Sequence, residues 1–245
     1  MAAHPILQRK HTELPPPSDK SLKQVSHHKS VFMNAIRPTP PTICIDGPIG
    51  AGKTTVIEEI VARLEARGKN VYVVTEQIDV WRNWCGEDWL QRSIERKDNV
   101  FEFQVLVYLT YMDQLKQSKM ANCDVIITER GPWTAVQVFS KLALESGQMS
   151  EGEYRILDKL AGLGCSPTAI IGLWGDNFDE LNGRVQYRDG RLAKNTWTAS
   201  VYGKYKELFV YQNPILDIVD CLRPLEKVAT DVLANVLRVL GEHCN

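Results

Sequence analysis

The chain has 245 residues, of which 44% are hydrophobic and 24% are charged, and its formal net charge at pH 7 is -1. This length and composition fit one globular domain, and the near-neutral charge provides no general attraction to nucleic acid. No stretch reaches the roughly 18 apolar residues of a membrane-spanning helix. The sequence therefore predicts one α/β domain, with neither nucleic acid nor a membrane as its partner.

The first 41 residues differ in composition from the rest of the chain. Residues 1–41 contain seven of the twelve prolines and four of the five histidines. Such a segment buries little apolar surface, so we expect a disordered, proline-rich tail over 1–41. Its basic residues could form an address signal, but Glu13, Asp19 and the prolines interrupt the amphipathic helix of a mitochondrial presequence. We expect an intracellular protein, cytoplasmic or nuclear, with a mitochondrial location as the less favoured alternative.

The cysteines and histidines exclude several kinds of site. The six cysteines occur singly, without a C-x-x-C pair, which predicts reduced thiols and argues against a zinc site or a disulfide framework. No histidine lies between residues 41 and 240. Carboxylates and arginines must therefore carry any chemistry in the body of the chain.

Apolar runs alternate with amphipathic segments after residue 41. The runs TICIDG, NVYVVTE, DVIITER, TAIIGLWG and ILDIVD are strand candidates, in that order along the chain. The spacing of apolar residues predicts helices over about 53–67, 100–117 and 225–240. Strands separated by helices predict an α/β domain, with a parallel sheet that is covered by helices on both faces.

The segment between the first strand and the first helix carries the strongest motif. It reads GPIGAGKTT from residue 47 and fits G-x-x-x-x-G-K-[ST], a loop whose backbone N–H groups surround phosphate oxygens. We expect Lys53 to contact the β- and γ-phosphates of ATP and the Thr54 hydroxyl to bind Mg²⁺. The alternative is a glycine turn with an incidental Lys-Thr pair, which the strand-turn-helix context disfavours. The predicted ATP-binding residues are Gly47, Gly50, Gly52, Lys53, Thr54 and Thr55.

Charged residues follow two of the predicted strands. Glu76 ends the second strand, and Glu129 and Arg130 end the third. The carboxyl ends of parallel strands meet at the ligand crevice of such a sheet. Two carboxylates and an arginine beside a triphosphate form a kinase-like set: a base for a hydroxyl, a group near Mg²⁺ and a cation for phosphoryl charge. Solvated strand ends are the alternative for each residue taken alone.

A cluster of arginines follows the fourth predicted strand. Arg184 and Arg188 are one helical turn apart and share a face, and Arg191 comes just beyond them. The cluster is either a solvated helix face or a lid that closes over the phosphates and excludes water.

On these motifs the chain resembles the deoxyribonucleoside kinases, and IDGPIGAGKTT resembles the thymidine kinases of herpesviral type in particular. The resemblance covers about residues 42–222 and implies one P-loop nucleoside kinase domain over 42–245, usually a homodimer. The implied fold is a five-stranded parallel sheet with helices on both faces and an arginine-bearing lid. The resemblance implies Glu76, Arg130, Arg184 and Arg188 as catalytic residues, Glu129 with Thr54 at the metal, and Trp81, Gln104, Val107, Ala135 and Phe139 as substrate-binding residues.

The same resemblance implies a substrate and a reaction. Gln104 carries both a donor and an acceptor for the N3–H and O4 edge of thymine, between apolar side chains at Val107 and Phe139. Ala135 stands where relatives that prefer deoxycytidine carry a charged residue, and its small side chain leaves room for the thymine methyl group. We therefore expect ATP-dependent phosphorylation of the nucleoside 5′-hydroxyl in nucleotide salvage, with thymidine favoured and deoxycytidine as a second substrate. Glu76 would accept the hydroxyl proton.

The chain departs from the family where the sugar 3′-hydroxyl is held. No tyrosine occurs in DWLQRSIERKDNV, and no glutamate occurs in GRLAKNTW. Either Trp89 or Asp189 holds the sugar, or selection for the sugar is relaxed.

Three alternatives remain open. The segment FEFQVLVYLTYM could be a core helix in which Gln104 has no binding role. A nucleoside monophosphate kinase, such as a thymidylate kinase, would need a cation for the phosphate of its acceptor, and Arg82 could serve. A P-loop ATPase or GTPase switch is the third reading, and the absence of an N-K-x-D segment argues against the GTPase.

Overall fold

A computed structural model describes residues 39–96, 99–164, 166–189, 196–212 and 216–242. The predicted tail over 1–41 lies outside these residues, except for its last three positions. Among these, Pro41 accepts a backbone hydrogen bond of 2.9 Å from Ile126, next to the first strand. The disordered tail therefore remains a prediction.

Five parallel strands form one sheet, as the sequence predicts. They are β1 (Thr42–Asp46), β2 (Val71–Val74), β3 (Val125–Glu129), β4 (Ala169–Trp174) and β5 (Leu216–Asp220). The strand order is β2-β3-β1-β4-β5, and the chain reverses its winding direction beside β1. Ligands of open parallel sheets bind at such a reversal, outside the carboxyl ends of the strands.

Helices connect the strands. The described helices are α1 (Lys53–Glu65), α2 (Ile78–Arg82), α3 (Trp89–Gln91), α4 (Val100–Met120), α5 (Pro132–Thr134), α6 (Lys141–Glu145), α7 (Glu151–Leu163), α8 (Phe178–Asp189), α9 (Thr196–Lys206) and α10 (Leu225–Val239). Three π-helical segments extend or join them, at Arg92–Arg96, Ala135–Ser140 and Glu207–Gln212.

The ends of the predicted helices differ slightly from those of the structure. Helix α1 ends two residues earlier than expected because Gly68 adopts a left-handed conformation, with φ of 77°. Gly68 and Lys69 then donate backbone hydrogen bonds to Glu65 and Leu64, which satisfies the last carbonyl groups of the helix. Helix α4 extends three residues beyond the predicted end, and α10 ends one residue earlier.

Both faces of the sheet are covered by apolar side chains. On one face Ile43 and Ile45 of β1 pack with Ile60 of α1 and Val232 of α10. On the other face Ile126 of β3 belongs to a cluster with residues of α4. This two-sided burial confirms the predicted α/β architecture and explains why the strands contain nearly continuous apolar runs. Within the part of the chain that is described, no helix combines the length and apolar character needed to cross a membrane.

Candidate active site

The phosphate-binding loop joins β1 to α1, and it is shaped by glycines in unusual conformations. Gly50 and Gly52 have φ of 86° and 81°, in the left-handed region that other residues avoid. A Cβ atom on Gly50 would lie 2.3 Å from the carbonyl oxygen of Leu181, in α8, whereas a Cβ atom on Gly52 would meet nothing within 4 Å. The loop therefore packs directly against α8 at Gly50.

We expect Gly50→Ala to lower the free energy of unfolding more than Gly52→Ala does. Each alanine in a left-handed conformation costs about 1–2 kcal/mol, and the overlap with Leu181 adds about 1–3 kcal/mol at residue 50 only. Urea unfolding of the two variants measures the difference. Equal losses would show that the contact between the loop and α8 is absent in solution.

Lys53 and Thr54 begin α1 and face the end of β3. The Lys53 ammonium donates to the carbonyl of Pro48 at 3.2 Å and lies 4.0 Å from Glu129 Oε1. Burial and the nearby Arg130 guanidinium lower the pKa of Lys53 to about 8. A buried ammonium with one hydrogen bond and one carboxylate at 4.0 Å is well suited to bind the oxygens of a phosphate group.

A hydroxyl and a carboxylate meet beside this lysine. Thr54 Oγ1 donates to Glu129, with its two carboxylate oxygens at 3.2 and 3.0 Å. No cluster of three or more ligating His, Cys, Asp or Glu side chains exists in the described segments. Mg²⁺ in nucleotide sites is usually held by one or two protein oxygens together with phosphates and water, so this pair fits Mg²⁺.

Arg130 is the most constrained charged residue at the site. Its Nη1 donates to Glu76 Oε1 at 2.6 Å, its Nη2 to the carbonyl of Gly47 at 3.0 Å, and its Nε to the Tyr205 hydroxyl at 2.9 Å. Burial alone would lower the pKa of Arg130, but Glu76 and the other anionic groups nearby hold it well above its ordinary value. The guanidinium is thus a fixed positive charge that contacts both Glu76 and the phosphate loop.

Glu76 follows β2, and helix α4 fixes the backbone next to it. The side-chain amide of Gln114 accepts from the Thr75 N–H at 3.2 Å and donates to the Thr75 carbonyl at 2.9 Å. This pair of hydrogen bonds attaches the segment after β2 to α4. The side chain of Glu76 is 21% exposed, so it is open to the cavity while it contacts Arg130.

An apolar slot with one unsatisfied polar atom lies next to Glu76. Trp81 donates its indole N–H to Thr110 at 3.0 Å and packs edge-on against Phe103. Gln104, which is 7% exposed, has a buried side-chain oxygen without a hydrogen-bond partner. Such an oxygen costs free energy unless a ligand supplies a donor. The slot is therefore suited to a flat ligand that carries an N–H group.

One cavity of about 1770 Å³ joins the loop, the carboxylates and the slot. It brings together most of the predicted site residues, namely Gly50, Gly52, Lys53, Thr54, Thr55, Glu76, Trp81, Gln104, Val107, Glu129, Arg130, Ala135, Phe139 and Arg184. Gly47 reaches this site through its carbonyl, which accepts from Arg130. The cavity can therefore hold a nucleotide and a second small molecule together.

The arginine cluster is described only in part. Arg184 donates to the carbonyl of Cys221 at 2.9 Å and to Glu180 at 3.0 Å, so its guanidinium lies beside the segment that follows β5. Arg188 belongs to the last turn of α8, but its side chain lies outside the described residues, as does all of Arg191. The closing of a lid over the phosphates remains a prediction.

Of the two residues proposed to hold the sugar, the structure describes the side chain of Trp89 but not that of Asp189. The indole N–H of Trp89 donates to the carbonyl of Trp84 at 3.1 Å, and its neighbours Asp88 and Leu90 line the cavity. The side chain of Asp189 lies outside the described residues. Asp88, which lines the cavity, is thus closer than Trp89 to where a sugar could bind.

Sequence reasoning missed a buried group of side chains behind the site. Asp46 accepts from the N–H of Gly47 at 2.7 Å, from the Tyr205 hydroxyl at 2.8 Å and from the Thr134 hydroxyl. Asp46 ends an apolar strand directly before the loop, so the rule that identified Glu129 could have found it. Tyr205 and Thr134 come from distant segments, and their sequence context carries no such signal.

Comparison with known proteins identifies a family. The sequence model described as deoxynucleoside kinase matches residues 43–170. The thymidine kinase of Ictalurid herpesvirus 1 (strain Auburn) is 33% identical over 97 residues, which is 39% of this chain and 40% of the viral protein. This chain therefore spans less than half the length of that relative. Kinase protein 029R of Invertebrate iridescent virus 3 is 26% identical over 213 residues, 82% of this chain and 97% of that protein.

A solved structure supports the fold. The structure of deoxyadenosine kinase from M. mycoides with the products dCMP and dCDP matches with a TM-score of 0.63 and 22% identity. The match covers 80% of this chain and 99% of that one. The five-stranded sheet with its surrounding helices is thus a P-loop kinase fold.

Proposed function

We propose, because this chain belongs to the deoxynucleoside kinase family, that it transfers the γ-phosphate of Mg-ATP to the 5′-hydroxyl of a deoxyribonucleoside. Thymidine is the favoured acceptor, and deoxycytidine is a second one. The reaction would serve nucleotide salvage. The single observation that supports this most is the buried, unpartnered oxygen of Gln104 in the same cavity as Glu76 and Lys53.

Gln104 supports recognition of the thymine edge. Its unsatisfied carbonyl oxygen is an acceptor for the N3–H of thymine, and its amide group is a donor for O4. Adenine could also donate to this oxygen, through its amino group, so Gln104 alone does not choose between the two bases. Ala135 is buried in the lining of the same cavity, and its methyl side chain leaves space for the 5-methyl group of thymine.

The polar residues have separate roles in phosphoryl transfer. Glu76 takes the proton of the 5′-hydroxyl as this oxygen attacks the γ-phosphorus, and Arg130 stabilises the negative charge on the transferring group. Lys53 binds the β- and γ-phosphates from the loop. Thr54 and Glu129 would hold Mg²⁺, which, when bound, neutralises charge on the phosphate oxygens.

Helix α8 contributes to the same site. We propose that Arg184 and Arg188 neutralise phosphate oxygens when the donor is bound. For Arg184 this requires exchange of at least one present partner, the carbonyl of Cys221 or the carboxylate of Glu180. Because Glu180 is exposed, its hydrogen bond is the weaker of the two and the first to exchange.

Replacement of Gln104 separates recognition of the base from packing. We expect Gln104→Leu to raise the KM for thymidine by about 10-fold or more, because each hydrogen bond to the base contributes about 0.5–1.5 kcal/mol. The melting temperature should not fall, since the variant removes a buried oxygen that lacks a partner. Steady-state kinetics and thermal unfolding measure the two effects.

Gln117→Leu, on the exposed side of the same helix, is the matched control and should change neither quantity. An unchanged KM in Gln104→Leu would mean that Gln104 is a core residue with no role in binding.

A substrate panel tests the proposed function. Purified protein with Mg-ATP is incubated with thymidine, deoxycytidine, deoxyadenosine, deoxyguanosine or thymidine monophosphate, and release of ADP is followed. We expect the greatest stimulation by thymidine. Equal or greater stimulation by deoxyadenosine would reject the proposed role of Ala135, and constant release without any acceptor would favour an ATPase.

The monophosphate in this panel tests a second candidate function. Arg82 lines the cavity one residue after Trp81 and is exposed, so it could receive the phosphate of a nucleoside monophosphate. Stimulation by thymidine monophosphate alone would identify a thymidylate kinase. We favour the nucleoside as acceptor because the chain belongs to the deoxynucleoside kinase family.

A further inference from the structure

We infer that Tyr205 is a positioning residue for phosphoryl transfer, which holds the Arg130 guanidinium in place through a buried hydrogen-bond chain to Asp46. This inference rests on the proposed function, because it assigns Tyr205 a role in the chemical step of that reaction. Tyr205 lies in α9, away from the strand ends that carry Glu129 and Arg130, and it packs in one apolar cluster with Trp174 of β4. It meets the site at Arg130, whose Cζ lies 5.9 Å from the centre of the Tyr205 ring and whose Nε donates to the Tyr205 hydroxyl.

The Tyr205 hydroxyl makes two hydrogen bonds, one as an acceptor and one as a donor. It accepts from Arg130 Nε at 2.9 Å and donates to Asp46 Oδ1 at 2.8 Å. The side chain is completely buried, and burial holds the pKa of the phenol well above its ordinary value. The hydroxyl therefore stays protonated and can serve both partners at once.

Asp46 completes the chain and connects it to the phosphate loop. Its carboxylate is completely buried and accepts from the backbone N–H of Gly47, the first residue of the loop. The carbonyl of Gly47 in turn accepts from Arg130 Nη2 at 3.0 Å. Arg130, Tyr205, Asp46 and Gly47 thus form a closed ring of hydrogen bonds behind the cavity.

The ring determines which groups the Arg130 guanidinium contacts. Without the Tyr205 hydroxyl, the Nε group loses its acceptor, and the pair with Glu76 at 2.6 Å becomes the strongest remaining side-chain contact. The guanidinium would then lie between the carboxylates of Glu76 and of Asp46, the latter 4.0 Å from Nε, and would no longer be held in one orientation. Small displacements of a catalytic group reduce the rate without weakening the binding of substrate.

The backbone of Arg130 is a second sign that this geometry is imposed. Arg130 has φ of 55°, a left-handed conformation that is costly for a residue with a long side chain. Contacts on all three sides of the guanidinium, made to Glu76, Gly47 and Tyr205, hold the residue in this conformation. Such strain is typical of residues that are fixed for function.

Tyr205→Phe tests the inference, because it removes one oxygen and retains the packing of the ring. We expect kcat to fall by about 10- to 100-fold, with the KM values for ATP and thymidine within about threefold of the unsubstituted protein. The matched control is Tyr202→Phe. Tyr202 lies one turn earlier in α9 and donates to the carbonyl of Gly175 at 3.1 Å, so this variant also loses a hydrogen bond of the same helix, although a partly buried one.

The two variants separate positioning from stability. Tyr205→Phe should lose more melting temperature, because its hydroxyl makes two buried hydrogen bonds whereas that of Tyr202 is partly buried, but only Tyr205→Phe should lose kcat. A kcat of Tyr205→Phe equal to that of Tyr202→Phe would overturn the inference. If Tyr205→Phe does not fold, Asp46→Asn takes its place, since the amide retains the shape and removes the anionic end of the chain; the same split between kcat and KM is expected, and its absence overturns the inference.

A double-mutant cycle shows whether Tyr205 acts through Arg130. Lysine at residue 130 has a single ammonium group and cannot serve Glu76, Gly47 and Tyr205 together. In an Arg130→Lys background, Tyr205→Phe should therefore lower kcat by less than about threefold. The same fold reduction in both backgrounds would reject the proposed route. Failure of the proposed function is distinguished from these outcomes, because the unsubstituted protein would then show no phosphorylation of any nucleoside.

Discussion

Glu76→Gln is expected to lower kcat by about 10²- to 10⁴-fold, which is the usual contribution of a general base. Glutamine has nearly the same shape as glutamate, but it cannot accept the proton of the 5′-hydroxyl. The KM for thymidine should stay within about threefold, because in the proposed function the base is bound at Gln104 and the carboxylate acts in the transition state. Steady-state kinetics with saturating Mg-ATP measure both constants.

The control for this variant is Asp79→Asn. Asp79 lies three residues beyond Glu76, in α2, and its side chain is exposed. The substitution removes the same charge from the same segment, so it separates a general electrostatic effect from proton transfer. Near-normal turnover in Glu76→Gln would contradict the role of Glu76 as the base.

Arg130→Lys is the second variant with a large expected effect. We expect kcat to fall by about 10²- to 10³-fold, which is typical when one fixed donor to a developing oxyanion is lost. Lysine retains the charge, but it replaces a planar guanidinium, three of whose five N–H groups donate here, by one flexible ammonium group. The contacts to Glu76, Gly47 and Tyr205 cannot all persist. Kinetics and a melting curve of the same sample measure the result.

Arg67→Lys is the control for this second variant. Arg67 lies two residues beyond α1 and is exposed, and its guanidinium donates to the backbone carbonyl of Arg63. It should retain full activity. If Arg130→Lys also retained full activity, the phosphoryl charge would have to be stabilised by Lys53 and the arginines of α8 alone.

The fold was largely predictable from the sequence. The five strands are nearly continuous apolar runs because both faces of the sheet are covered, and this pattern is readable without a structure. The phosphate loop was readable because its glycines and its lysine have fixed spacing. The ends of the helices were predicted less accurately. The end of α1, for example, depends on the left-handed conformation of Gly68, which many glycines do not adopt.

The candidate site was predictable where its residues follow strands. Glu76, Glu129 and Arg130 come directly after apolar runs, so topology alone brings them to one edge of the sheet. Membership of the deoxynucleoside kinase family, which the resemblance predicted, is confirmed, whereas the preference for thymidine remains a proposal.

The groups that hold these residues were not predictable. Tyr205 and Gln114 act from helices whose distance and orientation relative to Arg130 and Thr75 depend on the packing of the whole domain. Neither residue stands in a motif, and a buried tyrosine or a glutamine in an amphipathic helix is common in proteins of every function. Their roles are visible only as hydrogen bonds between distant parts of the chain.

The transfer of phosphate to the nucleoside is the central claim, and identification of the product tests it most directly. Thymidine and ATP labelled in the γ-phosphate are incubated with the protein and Mg²⁺, and the labelled product is separated and identified by mass and by ³¹P NMR. We predict thymidine 5′-monophosphate as the labelled product, and its loss in Glu76→Gln. Label found only in inorganic phosphate would contradict the account, because the cavity would then serve hydrolysis and the slot at Gln104 would not hold an acceptor.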